Sequence, residues 1–213
     1  MKQQDLRYVP GRVHYSIDYV KGGRIFSYAH QIDSVISFEP VTVLEIGAGG
    51  GVVTSALRAL GLGVTTLDVQ TELRADITAS VTEIPCSDKS FDVTLCSQVL
   101  EHLPFEQFAP ALSELRRVSK RGLVLSLPDA SRHWYIAGRL PKLPEFKIPF
   151  QLRRWAPVPD HALEGAGHYW EIGYSEYPLT RILREIREVG WRLDSTWRVT
   201  EMSWHRFFRL ENS

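Results

Sequence analysis

The sequence predicts an α/β protein whose sheet is doubly wound, mostly parallel with an antiparallel C-terminal strand, and covered by helices on both faces. Three observations carry that expectation. Short β-branched runs alternate with stretches of helical period between residues 24 and 127. The first of these runs stops at a cluster of glycines that opens a helix. The chain has 213 residues and an ordinary globular composition, 44% hydrophobic and 23% charged, enough for one full core.

Taken in order, a helix is expected from Arg24 to Phe38, because Ile25, Tyr28, Ile32, Val35 and Ile36 recur at helical spacing. Glu39-Pro40 ends it, since the residue before proline avoids the helical region. Val41 to Ile46 reads as the first strand, Val52 to Leu60 as a helix closed by Gly61 and Gly63, and Val64 to Val69 as the second strand. A weaker strand is expected near Ala75–Ile77, a fourth over Phe91–Cys96, a helix over Phe105–Val118 and a fifth strand over Gly122–Leu127. This alternation implies βαβ units with right-handed crossovers. From 128 to 177 the chain turns rich in Pro, Trp, Tyr and His and loses its period, apart from a short helix expected near Trp134–Gly138. A long irregular span in a compact domain is usually functional. Pro178 to Val189 is helical, with Leu179, Ile182, Leu183 and Ile186 on one face and Gly190 at the C-cap. Runs near Trp191–Val199 and His205–Leu210 form a terminal hairpin.

Lys+Arg and Asp+Glu both number 25, so no overall basic field favours nucleic acid as a partner. The two cysteines, Cys86 and Cys96, lack metal-type spacing, so neither a bound metal nor a disulfide framework is expected. The first residues are polar, without the apolar stretch of a signal peptide, and no apolar run approaches the ~20 residues of a membrane span. A cytoplasmic protein without membrane contact is the expectation; the oligomeric state is left open.

The glycine cluster, Val43-Leu44-Glu45-Ile46-Gly47-Ala48-Gly49-Gly50-Gly51, suits close approach of a ligand. Glycines allow left-handed backbone, and the helix that follows offers unpaired amides and a positive dipole end. A nicotinamide fingerprint, Gly-x-Gly-x-x-Gly, would need glycine where Val52 stands, which counts against a dinucleotide oxidoreductase.

Four segments in order carry a resemblance. They are the glycine turn, Thr66-Leu67-Asp68-Val69, Ile84-Pro85-Cys86-Ser87-Asp88-Lys89-Ser90-Phe91-Asp92-Val93, and Gln98-Val99-Leu100-Glu101-His102-Leu103. Together the chain resembles the class I S-adenosylmethionine-dependent methyltransferases, in the small-molecule branch called type 11, whose fold is Rossmann-like. The resemblance implies S-adenosyl-L-methionine as cofactor. It places Gly47 and Gly49 against the methionine part, Glu45 on its ammonium, Asp68 with Val69 at the ribose, and Ser97 and Gln98 on the far wall. Where the family has an acid for the adenine amine, this chain has Ser80 followed by Val81, with Asp76 as a substitute. It also implies one methyltransferase domain over 1–213: a helical cover (1–40), a cofactor-binding core (41–127), an aromatic lid and acceptor insertion (128–177), and a C-terminal helix and hairpin (178–213).

Methyl transfer from a sulfonium needs mainly orientation, with a general base only when the acceptor must lose a proton. Gly167 to Tyr174 offers an imidazole and a carboxylate, so His168 and Glu171 are the catalytic candidates, against the alternative that they pair structurally in a lid. His133, Trp134, Tyr135, Tyr169 and Trp170 are the expected acceptor contacts. Asp129 is a weaker candidate base, His102 is expected to pack its loop, and Tyr15, Tyr19 and Tyr28 would cover the cofactor. The leading reading is a methyltransferase for a small or medium-sized acceptor. Its rival is a catalytically silent S-adenosylmethionine-binding module that acts through a protein partner.

Overall fold

The structure is a computed structural model that describes residue 20 and residues 22–131, 134–138, 146–150 and 167–212, with backbone only over 134–137 and 146–150. Seven strands form one sheet: β1 (Thr42–Ile46), β2 (Gly63–Asp68), β3 (Ile77–Thr78), β4 (Phe91–Ser97), β5 (Ser119–Pro128), β8 (Trp191–Val199) and β9 (Met202–Asn212). Their order is β3-β2-β1-β4-β5-β9-β8. Strands β1 to β5 are parallel to one another, whereas β9 runs antiparallel between β5 and β8. The chain thus leaves β1 towards β2 and β3 and then crosses to β4, which makes the β1/β4 boundary the topological switch point, where open α/β sheets bind ligands.

The period of two in the strands decides which core each side chain joins. Leu44, Ile46, Cys96, Leu123, Leu125 and Leu127 face one layer, built on α3 (Phe108–Val118) and α4 (Leu179–Glu188). Val43, Val93, Leu95 and Val124 face the other, where Val35 of α1 (Arg24–Ile36) and Val53 and Leu57 of α2 (Val52–Ala59) meet them. Both faces are covered, so the inner strands read as apolar runs rather than alternating ones. Among the described residues no helix is long and apolar enough to cross a membrane.

Most expected elements stand within two residues of their expected bounds. The expected helix over 105–118 opens with a 3-10 turn at Phe105–Gln107 before α3 begins. One expectation is overturned: Trp134–Gly138 is strand β6, paired antiparallel with β7 (Phe146–Phe150) in register Trp134↔Phe150 to Gly138↔Phe146. Five residues rich in aromatic and β-branched side chains favour a pleat, and the partner that completes it lies about ten residues on, out of reach of a local periodicity test.

The amino ends of β1 and β4 are clamped by one carboxylate. Asp92 Oδ2 accepts from the Val41 and Thr42 amides at 2.8 and 2.9 Å and from Thr42 Oγ1, while Lys120 Nζ stands 3.1 Å from Oδ1. Burial alone would raise this carboxyl, but the two amides and Lys120 outweigh it and hold it well below the usual carboxylate range. Asp92→Ala leaves two amides unsatisfied and is expected to cost about 2–4 kcal/mol in chemical denaturation. Because the folded value is depressed, the stabilisation is present above about pH 4 and is lost as pH falls towards the folded value. Equal acid sensitivity in wild type and variant would contradict this role.

Candidate functional site

Strand β1 ends directly in the glycine turn, and the turn is left-handed three times: φ is +69° at Gly47, +55° at Gly49 and +72° at Gly51. The Gly47 amide donates to Leu67 O of β2 at 2.8 Å, and a Cβ at position 47 would stand 2.5 Å from Val99 Cγ2. Only glycine meets both demands. The turn delivers the chain into α2, whose first amides face the space above β1.

Two clefts flank this turn and share Ala48, Gly49 and Gly50. The first, ≈ 600 Å³ counted to its open mouth, has Glu45 and Gly47 on its floor, Ser97 and Gln98 on one wall, and Arg24 and Tyr28 of α1 on the other. The second, ≈ 590 Å³ on the same measure, is lined by Thr54, Arg58, Thr66, Asp68 and Arg74. Glu45 is 4% exposed and accepts from Thr54 Oγ1 at 2.6 Å. Burial pushes its carboxyl up to about 7, against the opposing pull of Thr54 and the Arg58 charge. It is therefore a buried acid poised to ionise beside a cation. Asp68 ends β2 at the rim of the second cleft. Burial raises it too, and the Gln70 and Val69 amides offset part of that rise.

Other expected cofactor residues fall differently. Val69 is 49% exposed and lines neither cleft. Ser80 is hydrogen-bonded to Thr82, its Oγ 2.7 Å from Thr82 Oγ1, and Val81 packs in the core; both lie outside the two clefts. Asp76 is committed to the Thr66 amide and hydroxyl and to Arg58, so it fastens β2 rather than offering an adenine contact.

On the insertion side, His133, Tyr15 and Tyr19 lie outside the described residues, as do the side chains of Trp134 and Tyr135. His168 and Glu171 do pair, Nδ1 to Oε1 at 2.7 Å, and both are largely buried. Burial pulls the His168 imidazole down, but the Glu171 bond and the charges of Glu101 and Glu171 outweigh it, and the net shift is upward. The Tyr169 amide donates to Glu101 O at 2.8 Å, and its ring is half-buried against the core. Trp170 corrects the sequence expectation. It has no exposed surface, its indole N–H donates to Leu103 O at 3.0 Å, and it packs edge-on to Phe105 and Phe108. It is a core residue, not an acceptor contact. Asp129 is likewise no free base, because it is fully buried and paired with Arg198 and Arg206.

Sequence reasoning missed two parts of the site. His205, on β9, lines the first cleft with its Nδ1 2.8 Å from Ser27 Oγ, and burial drives it down to about 3, so it stays neutral. Glu101 is fully buried beside His102 and His168, and burial pushes it up to about 7. Neither has a local signal: Ser27 and His205 are 178 positions apart, and His168 lies 67 beyond Glu101.

A parallel sheet with a left-handed glycine turn at its switch point, an acid beneath it and a second acid at the tip of the next strand is an arrangement in which open α/β sheets bind nucleotide cofactors. Residues 44–127 match the family model described as a methyltransferase domain. A ubiquinone biosynthesis O-methyltransferase of Colwellia psychrerythraea is 31% identical over 88 residues, 34% of this chain and 36% of that enzyme. The match thus spans about a third of that relative's length. Among solved structures, the 1,6-didemethyltoxoflavin-N1-methyltransferase of Burkholderia thailandensis, crystallised with S-adenosylhomocysteine, is similar at TM-score 0.59. It is 14% identical, with 88% of this chain and 78% of that chain covered. The N-methyltransferase NodS of Bradyrhizobium japonicum, also with S-adenosylhomocysteine, gives TM-score 0.59 at 15% identity, covering 89% and 87%. The shared fold is the Rossmann-like methyltransferase sheet.

If Trp170 is core, Trp170→Ala should cost about 3–5 kcal/mol in urea unfolding. A variant of unchanged stability would return Trp170 to the acceptor side.

Proposed function

We propose that the chain is an S-adenosylmethionine-dependent methyltransferase that acts on a small or medium-sized acceptor. The observation that carries this reading is the pair of clefts meeting across the glycine turn, each with its own acid. S-adenosylmethionine is similarly bipartite. Its ammonium suits Glu45, its carboxylate suits Arg24 and the amides of α2, and its ribose hydroxyls suit Asp68, which accepts both in charge-assisted bonds. Gly47 and Gly49 let the methionine part approach the backbone, with Ser97 and Gln98 opposite. The adenine would extend from the second cleft past Asp68 towards the exposed Val69 and half-buried Ser80, with Val81 packed in the core behind them. Residues 128–177 supply the acceptor side, where His168 and Glu171, with Glu101 and His102, form its polar anchor. Equal numbers of basic and acidic residues favour a small acceptor over nucleic acid. Two free thiols, Cys86 and Cys96, suit the reducing cytoplasm.

Catalysis then rests on holding the acceptor's nucleophile in line with the S–CH3 bond and on excluding water. Incubating the chain with S-adenosylmethionine and a panel of phenols, catechols and amines should yield S-adenosylhomocysteine with at least one acceptor. Cofactor binding without turnover across the panel would favour the silent module, and NAD binding without S-adenosylmethionine binding would sink the reading. Calorimetry adds a sharper check. The ammonium binds ionised Glu45, whose empty-site value is about 7, so cofactor binding releases a proton below that pH. Affinity should weaken about tenfold per unit below pH 7, level off above it, and lose that dependence in Glu45→Gln.

A further inference from the structure

At the 3-10 turn that follows β4 (Leu100–His102), three side chains with metal-ligand atoms converge. Glu101, His102 and His168 each offer one metal-ligand atom, and these atoms lie within 4.8 Å of one another. Glu101 has no exposed surface, and among the described residues neither carboxyl oxygen has a hydrogen-bond partner. A buried carboxyl group with both oxygens unbonded is rare and costly, and it marks a missing partner.

The two imidazoles are already oriented as metal ligands are. His102 Nδ1 donates to Gly167 O at 3.0 Å, and His168 Nδ1 donates to Glu171 Oε1 at 2.7 Å. A carbonyl oxygen only accepts, so the neutral His102 ring carries its lone pair on Nε2; a carboxylate fixes His168 in the same tautomer. Ligating histidines generally show this arrangement, with the other ring nitrogen donated to a carbonyl or carboxylate. The rings meet edge to face, with centroids 4.8 Å apart. Gly167 aims its carbonyl from a left-handed backbone, φ +69°.

We propose that Glu101, His102 and His168 form a binding site for a divalent transition-metal ion such as Zn²⁺, with Gly167 O and Glu171 as its outer partners. Two imidazoles and one carboxylate are the donors that zinc and its neighbours favour. Tetrahedral ligands about 2.1 Å from zinc stand about 3.4 Å apart, so the metal draws the outermost pair in by at most about 1.4 Å, within the reach of side-chain rotation. Three protein ligands leave a fourth position for water or an acceptor oxygen. Glu101 lies three residues past Gln98, which lines the first cleft. A role for that position in binding the acceptor rests on the methyl-transfer reading; the site itself does not.

The test is titration of the full chain, stripped with EDTA, with ZnCl2 in the absence of cofactor. One Zn²⁺ per chain is expected, with a rise in Tm. His102→Ala and His168→Ala should each weaken binding at least about tenfold, and Glu171→Gln by about 10- to 100-fold through its hold on His168. Glu101→Gln keeps the side-chain volume and removes a buried charge, so it should fold, checked by circular dichroism, and still lose Zn²⁺ affinity. X-ray absorption of the Zn²⁺-loaded wild type should show imidazole nitrogens and a carboxylate oxygen without sulfur. Absence of saturable binding, binding unchanged in Glu101→Gln, or a sulfur ligand would overturn the site. Cofactor affinity is measured without metal, so either proposal can fail without the other.

Discussion

The structure turns on one short backbone contact, the Gly47 amide donated to Leu67 O at 2.8 Å across the carboxyl ends of β1 and β2. It forces the chain out of β1 at the level where β2 ends, and Val99 presses on the same spot from the β4 side. The left-handed angles at 47, 49 and 51 follow from that confinement, and so does the start of α2 at Val52. The two clefts exist because a turn of bare backbone runs between them. Any side chain at position 47 would have to displace Val99, and with it the segment that leads to Glu101.

Burial then gives the acids around the turn their properties. Glu45 lies buried with the Thr54 hydroxyl as its one hydrogen-bond donor among the described residues, so its charge is expensive until a cation arrives. Asp68 at the strand tip is raised by burial as well, and the backbone amides it receives offset part of that rise. Asp92, at the opposite end of the sheet, takes amides and an ammonium and serves only to hold the strands together. Three carboxylates within one sheet are thus sorted into different tasks by the number of donors around each.

The sheet was legible from sequence because strands buried on both faces show as short apolar runs, and glycines or prolines mark their ends. The residues around the glycine turn were legible for the same reason, since Glu45, Gly47 and Asp68 sit next to those marks. What was hidden depends on contacts far apart in the chain. The pairing of β6 with β7 made a strand of a segment whose local pattern suggested a helix. Trp170 looked available because its neighbours are polar, yet Phe105 and Phe108 enclose it from 62 to 65 positions away. His205 and the Glu101 cluster needed β9 to pair alongside β5 and the 167–172 segment to bridge to Asp129 past the end of β5.

On the proposed reading, one cofactor lies across the glycine turn and reaches into both clefts. A crystal structure of the chain with S-adenosylhomocysteine tests it most directly. The account predicts the ammonium within hydrogen-bond reach of Glu45, the ribose hydroxyls on Asp68, and the sulfur facing the side of the cleft that holds Gln98 and His205. A ligand seated away from the turn, or with its ribose remote from Asp68, would contradict it.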